Sequence, residues 1–174
     1  MKMTTSNLVT GMFKSNTAAE NAVQMLMKVG YHRNDISLLM SDETRSRHFG
    51  VEAGTKAAEG AGIGSAVGGA VGATIAAIAA IGTSLILPGL GLVIAGPIAA
   101  ALAGAGAGGA AGGLVGALVG AGVPEYRAKM YESGLKAGGV LVGVHAKSSE
   151  DADKLEQLMT GAGAEGIRTD NAAE

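Results

Sequence analysis

GAGIGSAVGGAVG (Gly60–Gly72) and GAGAGGAAGGLVGALVG (Gly104–Gly120) decide how this chain is read. Both lie in a run from Gly60 to Pro124 that contains no Asp, Glu, Lys, Arg or His and carries hydroxyl side chains only at Ser65, Thr74, Thr83 and Ser84. Small residues recur at every fourth position, through Gly60, Gly64, Gly68, Gly72, Ala76 and Ala80 and again through Ala100, Gly104, Gly108, Gly112, Gly116 and Gly120. On a helix of about 3.6 residues per turn such a row winds slowly round the cylinder and leaves a smooth groove for another helix backbone. The two rows mirror each other about Leu90, which sets Gly64 opposite Gly116, Gly68 opposite Gly112 and Gly72 opposite Gly108. The midpoint falls in the turn-like Leu87, Pro88, Gly89, Leu90 and Gly91, inside the most hydrophobic piece of the chain, Leu85–Ile94. Residues 51–123 therefore read as an antiparallel α-helical hairpin with the glycines as packing positions and Leu87 to Gly91 as its apex.

The flanks, residues 1–50 and 124–174, are charged and ordinary in composition. Leu8 to Phe13 is a β-rich run. Thr17 with Glu20 three residues later fits a capping box that opens a helix at Ala18. Ala18, Ala22, Met25, Leu26 and Val29 recur at helical spacing, and Gly30 stops the pattern. Asp35 to Met40 reads as a second strand, and Ser41 to Glu59 as a polar connector leading into the first long helix. Beyond the insert, Pro124 suits the first position of a helix that buries Ala128, Tyr131 and Leu135 and ends at Gly138-Gly139. Val140 to Ala146, apolar on both faces, predicts a central strand. Ser148 to Asp151 caps a helix whose apolar stripe is Ala152, Leu155, Leu158 and Met159, and Ile167 to Thr169 is an edge strand. The predicted class is α+β, a ferredoxin-like β-α-β-β-α-β domain interrupted between its second and third strands by the glycine-rich hairpin.

Val9 to Phe13, the helix ending at Gly30-Tyr31, Asp35-Ile36-Ser37, and above all Gly122-Val123-Pro124-Glu125 running through Ala128 and Tyr131 to Gly138-Gly139-Val140-Leu141-Val142, resemble a bacterial general-stress-protein family. The resemblance implies a small α/β domain with a glycine-zipper insert and a bacterial stress context. It implies no catalytic residues.

Composition narrows the chemistry. The chain has no Cys, which excludes disulfides, thiolate catalysis and cysteine-based zinc sites. A formal net charge of -2 gives no reason to expect nucleic acid as a partner. His32, His48 and His145 are widely separated and in unlike contexts, and His145 has no Asp, Glu or second His at ligand spacing beside it, so no metal is expected. Gly60-Ala61-Gly62-Ile63-Gly64 lacks the preceding strand of a dinucleotide fingerprint and the Gly-Lys-Ser/Thr of a P-loop, so no nucleotide cofactor is expected. Glu150, Asp151, Asp153 and Glu156 fall in the first turns of a capped helix, where its dipole stabilises them. Tyr126 and Tyr131, with Arg127 and Lys129, could line a small-molecule site or meet a membrane interface, and packing against the sheet is the plainer expectation. No enzyme is expected.

Two helices of about thirty residues, each about 45 Å long, are too long for an α/β unit with a radius of gyration of about 13 Å to cover. Their surface is expected to meet a lipid membrane or other copies of the chain. Each row spans about 30 Å, the thickness of a hydrocarbon core, and Gly-xxx-Gly packing is favoured in lipid. Lys56 and Arg127 flank the open ends, which would leave both termini cytoplasmic, at the cytoplasmic face of a membrane. The N-terminus does not read as a secretory signal. The alternatives are a soluble, cytoplasmic homo-oligomer, ring or shell, assembled by hairpin packing, and a regulatory domain that binds a small molecule on its sheet.

Overall fold

The computed structural model describes residues 8–49, 85–87, 92–97, 113–116, 118–119 and 123–170. In chain order these form β1 (Leu8–Phe13), α1 (Asn16–Lys28), a 3-10 turn (Arg33–Asp35), β2 (Ile36–Ser41), α2 (Asp42–Phe49), β3 (Leu85–Leu87), β4 (Leu92–Ala95), α3 (Glu125–Lys136), β5 (Val140–His145), α4 (Ser149–Gly161) and β6 (Glu165–Asp170). Residues 113–116 and 118–119 are also helical. The six strands make one antiparallel sheet in the order β3-β4-β2-β5-β1-β6, so the class is α+β.

Side chains alternate across a pleated strand, and here both faces are apolar because both are covered. Val9, Phe13, Ile36, Leu38, Met40, Val93, Ala95, Val140, Val142 and Val144 point into one core, closed by Ala19, Ala22, Val23 and Leu26 of α1 and Ala152, Leu155 and Met159 of α4. Leu8, Met12, Leu39, Leu92, Ile94 and Leu141 point into the other, closed by Ala128, Tyr131 and Leu135 of α3 and by Leu114, Leu118 and Val123. The strand β5 lies at the centre of the ladder, with Leu8 opposite His145 on one side and Ile36 opposite Val144 on the other. Its apolar text suits burial on both faces.

Helix ends follow local chemistry. Ser148 caps α4 by accepting from the Asp151 N–H at 3.1 Å. Ser15, not Thr17, caps α1, accepting from the Ala18 N–H. The helix thus opens at Asn16, and its buried stripe becomes Ala19, Ala22, Val23 and Leu26, with Met25 and Val29 exposed. Pro124 stands one position earlier than predicted. At φ -56° and ψ 142° it is the N-cap of α3, its carbonyl accepting from Arg127 and Ala128.

The largest departure from the sequence reading lies at the expected apex. Leu87 belongs to β3, and β3 and β4 form an antiparallel pair with Leu85 opposite Ile94 and Leu87 opposite Leu92. Pro88, Gly89, Leu90 and Gly91 lie outside the described residues. The strand β4 then pairs with β2, Leu38 opposite Ala95 and Ser41 opposite Leu92, and all four of its residues are buried. A short apolar run bounded by Pro and Gly fits strand or helix by periodicity alone. Tertiary context decides it here, because β2 would otherwise leave an open edge and β4 satisfies its backbone groups. Gly96 makes the exit possible: it has φ +89°, and a Cβ there would stand 2.3 Å from the carbonyl oxygen of Ile36.

Candidate functional site

Of the predicted packing glycines, Gly60, Gly64, Gly68, Gly72, Gly104, Gly108, Gly112 and Gly120 lie outside the described residues, and with them the mirrored register of the two rows. Gly116 is described and helical. Its neighbours Leu114 and Leu118 are 3% and 1% exposed against the second face of the sheet. One residue of helix turns the chain by about 100°, so Gly116, two positions from each leucine, lies on the side of the helix away from the sheet. This piece of the uncharged stretch thus docks on the domain through Leu114 and Leu118, with Gly116 on the far side.

Three polar clusters join segments distant in sequence. Tyr31 donates its hydroxyl to Asp151 Oδ2, which also accepts the Lys147 N–H at 2.9 Å, while the Lys147 ammonium sits 4.9 Å from the centre of the Tyr31 ring. Burial, and then the hydrogen bond to Asp151 and its charge, push the Tyr31 phenol far above its usual range. Burial would raise the Asp151 carboxyl, but the Tyr31 hydroxyl, the Lys147 N–H and the Lys147 and Lys154 charges outweigh it and hold the carboxyl below its usual range. A phenol that keeps its proton beside a carboxylate that stays ionised is a latch, not a proton-transfer pair. It fastens the end of α1 to the start of α4.

In the second cluster Tyr131 and Thr10 are both buried. Tyr131 on α3 shares a 2.7 Å hydrogen bond with Thr10 Oγ1 on β1 and donates to the Gly166 carbonyl of β6 at 3.1 Å. The tyrosine predicted to pack on the sheet does so with its hydroxyl satisfied, as burial requires. Tyr126 remains exposed, with the Arg127 guanidinium 5.7 Å from its ring centre. The third cluster ties α2 to the sheet: Thr44 accepts from Ser41 and donates to the Gly138 carbonyl at 3.3 Å, and Arg45 pairs with Asp42.

None of the three sets a nucleophile, a base and a free acceptor around one point. Among the described residues no group of three His, Asp or Glu is placed to hold a metal ion. His32 opens the 3-10 turn, its N–H donating to Asp35 at 2.9 Å, and His145 is exposed at the end of β5. The side chain of His48 is outside what is described.

One concavity stands apart from these clusters. A cleft of about 420 Å³ opens where the last turns of α3 pass over the ends of β1 and β6, lined by Met12, Lys14, Met130, Ser133, Gly134, Ala137, Gly139 and Glu165. Sequence reasoning did not single out these residues. They come from three separated stretches, and only the strand order β5-β1-β6 brings them together. The one local signal was the surplus of glycine at the end of α3. At Gly134 a Cβ would meet the Met12 side chain at 3.0 Å, and at Gly139 it would stand 2.9 Å from the Gly134 carbonyl.

No family model matches the chain, and no curated protein or solved structure matches it. Among the described residues, no helix is long and apolar enough to cross a membrane.

Proposed function

We propose that this is a non-enzymatic, stress-associated protein that assembles with copies of itself, in which a ferredoxin-like domain presents a glycine-zipper insert as its packing surface. The strand order β6-β1-β5-β2, with α1 and α4 on one face, supports the ferredoxin-like assignment. The observation that carries the functional reading is the attachment of the uncharged stretch to the sheet, at its middle through β4 and near its end through Leu114 and Leu118. Outside those anchors lie residues 50–84, between α2 and β3, and 98–112, between β4 and Leu114, about 35 and about 15 residues. Crossing a bilayer and returning takes two passes of about 20 residues each, so neither segment has the length. Close packing of small-residue helices between chains uses the same surface without that demand. The assembly would be cytoplasmic.

A second reading, membrane association, is favoured by the absence of any charge between Gly60 and Pro124. Attached to the sheet at these points, the insert would enter one leaflet without spanning, at the cytoplasmic face with both termini cytoplasmic. Sedimentation velocity of the full chain without detergent, together with an alkaline wash of membranes from the same cells, tests both. A discrete particle several times the 17.0 kDa of one chain supports assembly. A monomer that stays monomeric as concentration rises refutes it, and retention in the washed membrane favours the lipid reading.

A further inference from the structure

We propose that the cleft at the end of α3 is a binding site for an uncharged, largely apolar small molecule, of a bulk between that of two fused aromatic rings and a ten-carbon chain. This goes beyond self-association and stands without it. The volume sets an upper bound on size: an enclosed cavity of about 150 Å³ holds one benzene ring, and this cleft, partly open to solvent, has about 420 Å³. The class follows from the lining. The floor is the Met12 side chain, laid flat over Gly134 and Gly139 because neither glycine has a Cβ to lift it. Met130 forms part of the wall, and thioether side chains are flexible and polarisable enough to mould round ligands of differing shape.

At the mouth, Lys14 and Glu165 pair with each other at 2.9 Å. The pair is mostly exposed and neutral as a unit, so it adds no net charge that would draw an ion to the cleft. The Ser133 hydroxyl already donates to the Lys129 carbonyl at 3.1 Å. Recognition is left to shape and apolar contact, with that hydroxyl's remaining lone pair available to a ligand donor. The cleft also suits a small molecule better than a helix. Its lining comes only from neighbouring ends of α3, β1 and β6, whereas a helix about 10 Å across needs a continuous trough.

The full-length chain is photolabelled with a neutral alkyl diazirine and the adducts are mapped by peptide mass spectrometry. The expected result is saturable labelling of the peptide holding residues 130–139, at least tenfold weaker in Ala137→Phe, which fills the cleft, and retained in Met130→Leu. Circular dichroism checks that each variant is folded. Should Ala137→Phe fail to fold, Ser133→Phe on the exposed rim of the same wall gives the equivalent block. Adducts confined to residues 50–124, labelling that does not saturate, or labelling of 130–139 that a folded blocking variant leaves unchanged would each overturn the assignment.

Discussion

Replacing Gly96 by alanine separates a strand at the centre of the uncharged stretch from a helical apex, because the two arrangements predict effects of opposite sign. In the structure Gly96 has φ +89°, and an added Cβ would lie 2.3 Å from Ile36 O and 2.8 Å from the Ser37 Cα. Holding alanine at positive φ costs about 1–3 kcal/mol, and the clash is with backbone, so β2 or β4 must move as well. A loss of at least about 2 kcal/mol is expected, which for a chain of this size lowers Tm by roughly 4–8 °C. Were Gly96 part of a helix, alanine would stabilise it by about 1 kcal/mol. Thermal and urea unfolding followed by circular dichroism reads the difference, at one fixed protein concentration because assembly makes Tm concentration-dependent. Gly161→Ala is the control: Gly161 closes α4, has an ordinary φ and nothing within 4 Å of the added Cβ. It should be neutral or slightly stabilising. If the Gly96→Ala variant proves as stable as the parent or more so, β4 is not paired to β2 and the length comparison for the insert fails with it.

Tyr131→Phe leaves the Thr10 hydroxyl and the Gly166 carbonyl without their buried partner and should cost about 1–3 kcal/mol. Adding Thr10→Val should recover part of that loss, and strict additivity in the double-mutant cycle would count against a shared hydrogen bond. Because the Asp151 carboxyl is held below its usual range, its contribution is present above the unfolded value of about 3.9 and is lost as pH falls through the folded value. The stability gap between parent and Asp151→Asn, of order 1 kcal/mol for this partly exposed group, should therefore be level above about pH 5 and close below pH 4. A gap unchanged at pH 3 in urea titrations would remove the latch. Leu118→Ala should destabilise by about 2–5 kcal/mol, whereas Val119→Ala, at a residue 43% exposed, should stay within about 0.5 kcal/mol. Equal effects on the urea midpoint would mean that this turn of helix is not seated on the sheet.

Where a signal was local and strong, the sequence could be read to within a residue or two. β5 showed itself by Val140, Leu141, Val142 and Val144, apolar on both faces, and Ser148 with the stripe Ala152, Leu155 and Met159 marked α4. The neighbouring polar run Lys14 to Thr17 offered several capping residues, and nothing local told Ser15 from Thr17. Once the start moved, Val23 replaced Met25 on the buried face. Leu85 to Ala95 was misread for a different reason. Mirror symmetry of the flanking glycines suggested a hairpin of helices, while the pairing of β4 depends on the open edge of β2, some fifty residues earlier. Leu114 and Leu118 were overlooked because Gly116 between them drew the reading to the other side. The cleft had no contiguous signature at all, since Met12, Gly134 and Glu165 meet only through strand order.

The seat of β4 beside β2 also bears on how the chain can be dissected. Deleting residues 51–123 in one piece, as if the insert were an appendage on a self-sufficient domain, would strip β2 of one neighbour. The strand then facing water along its edge would be Ile36 to Met40, every residue of it buried in the intact protein. It has no lysine, proline or bulge to discourage a second chain from pairing there. Such a truncation is expected to aggregate through that edge. A minimal version would have to keep Leu85–Ala95 and take its cuts from residues 50–84 or 98–112.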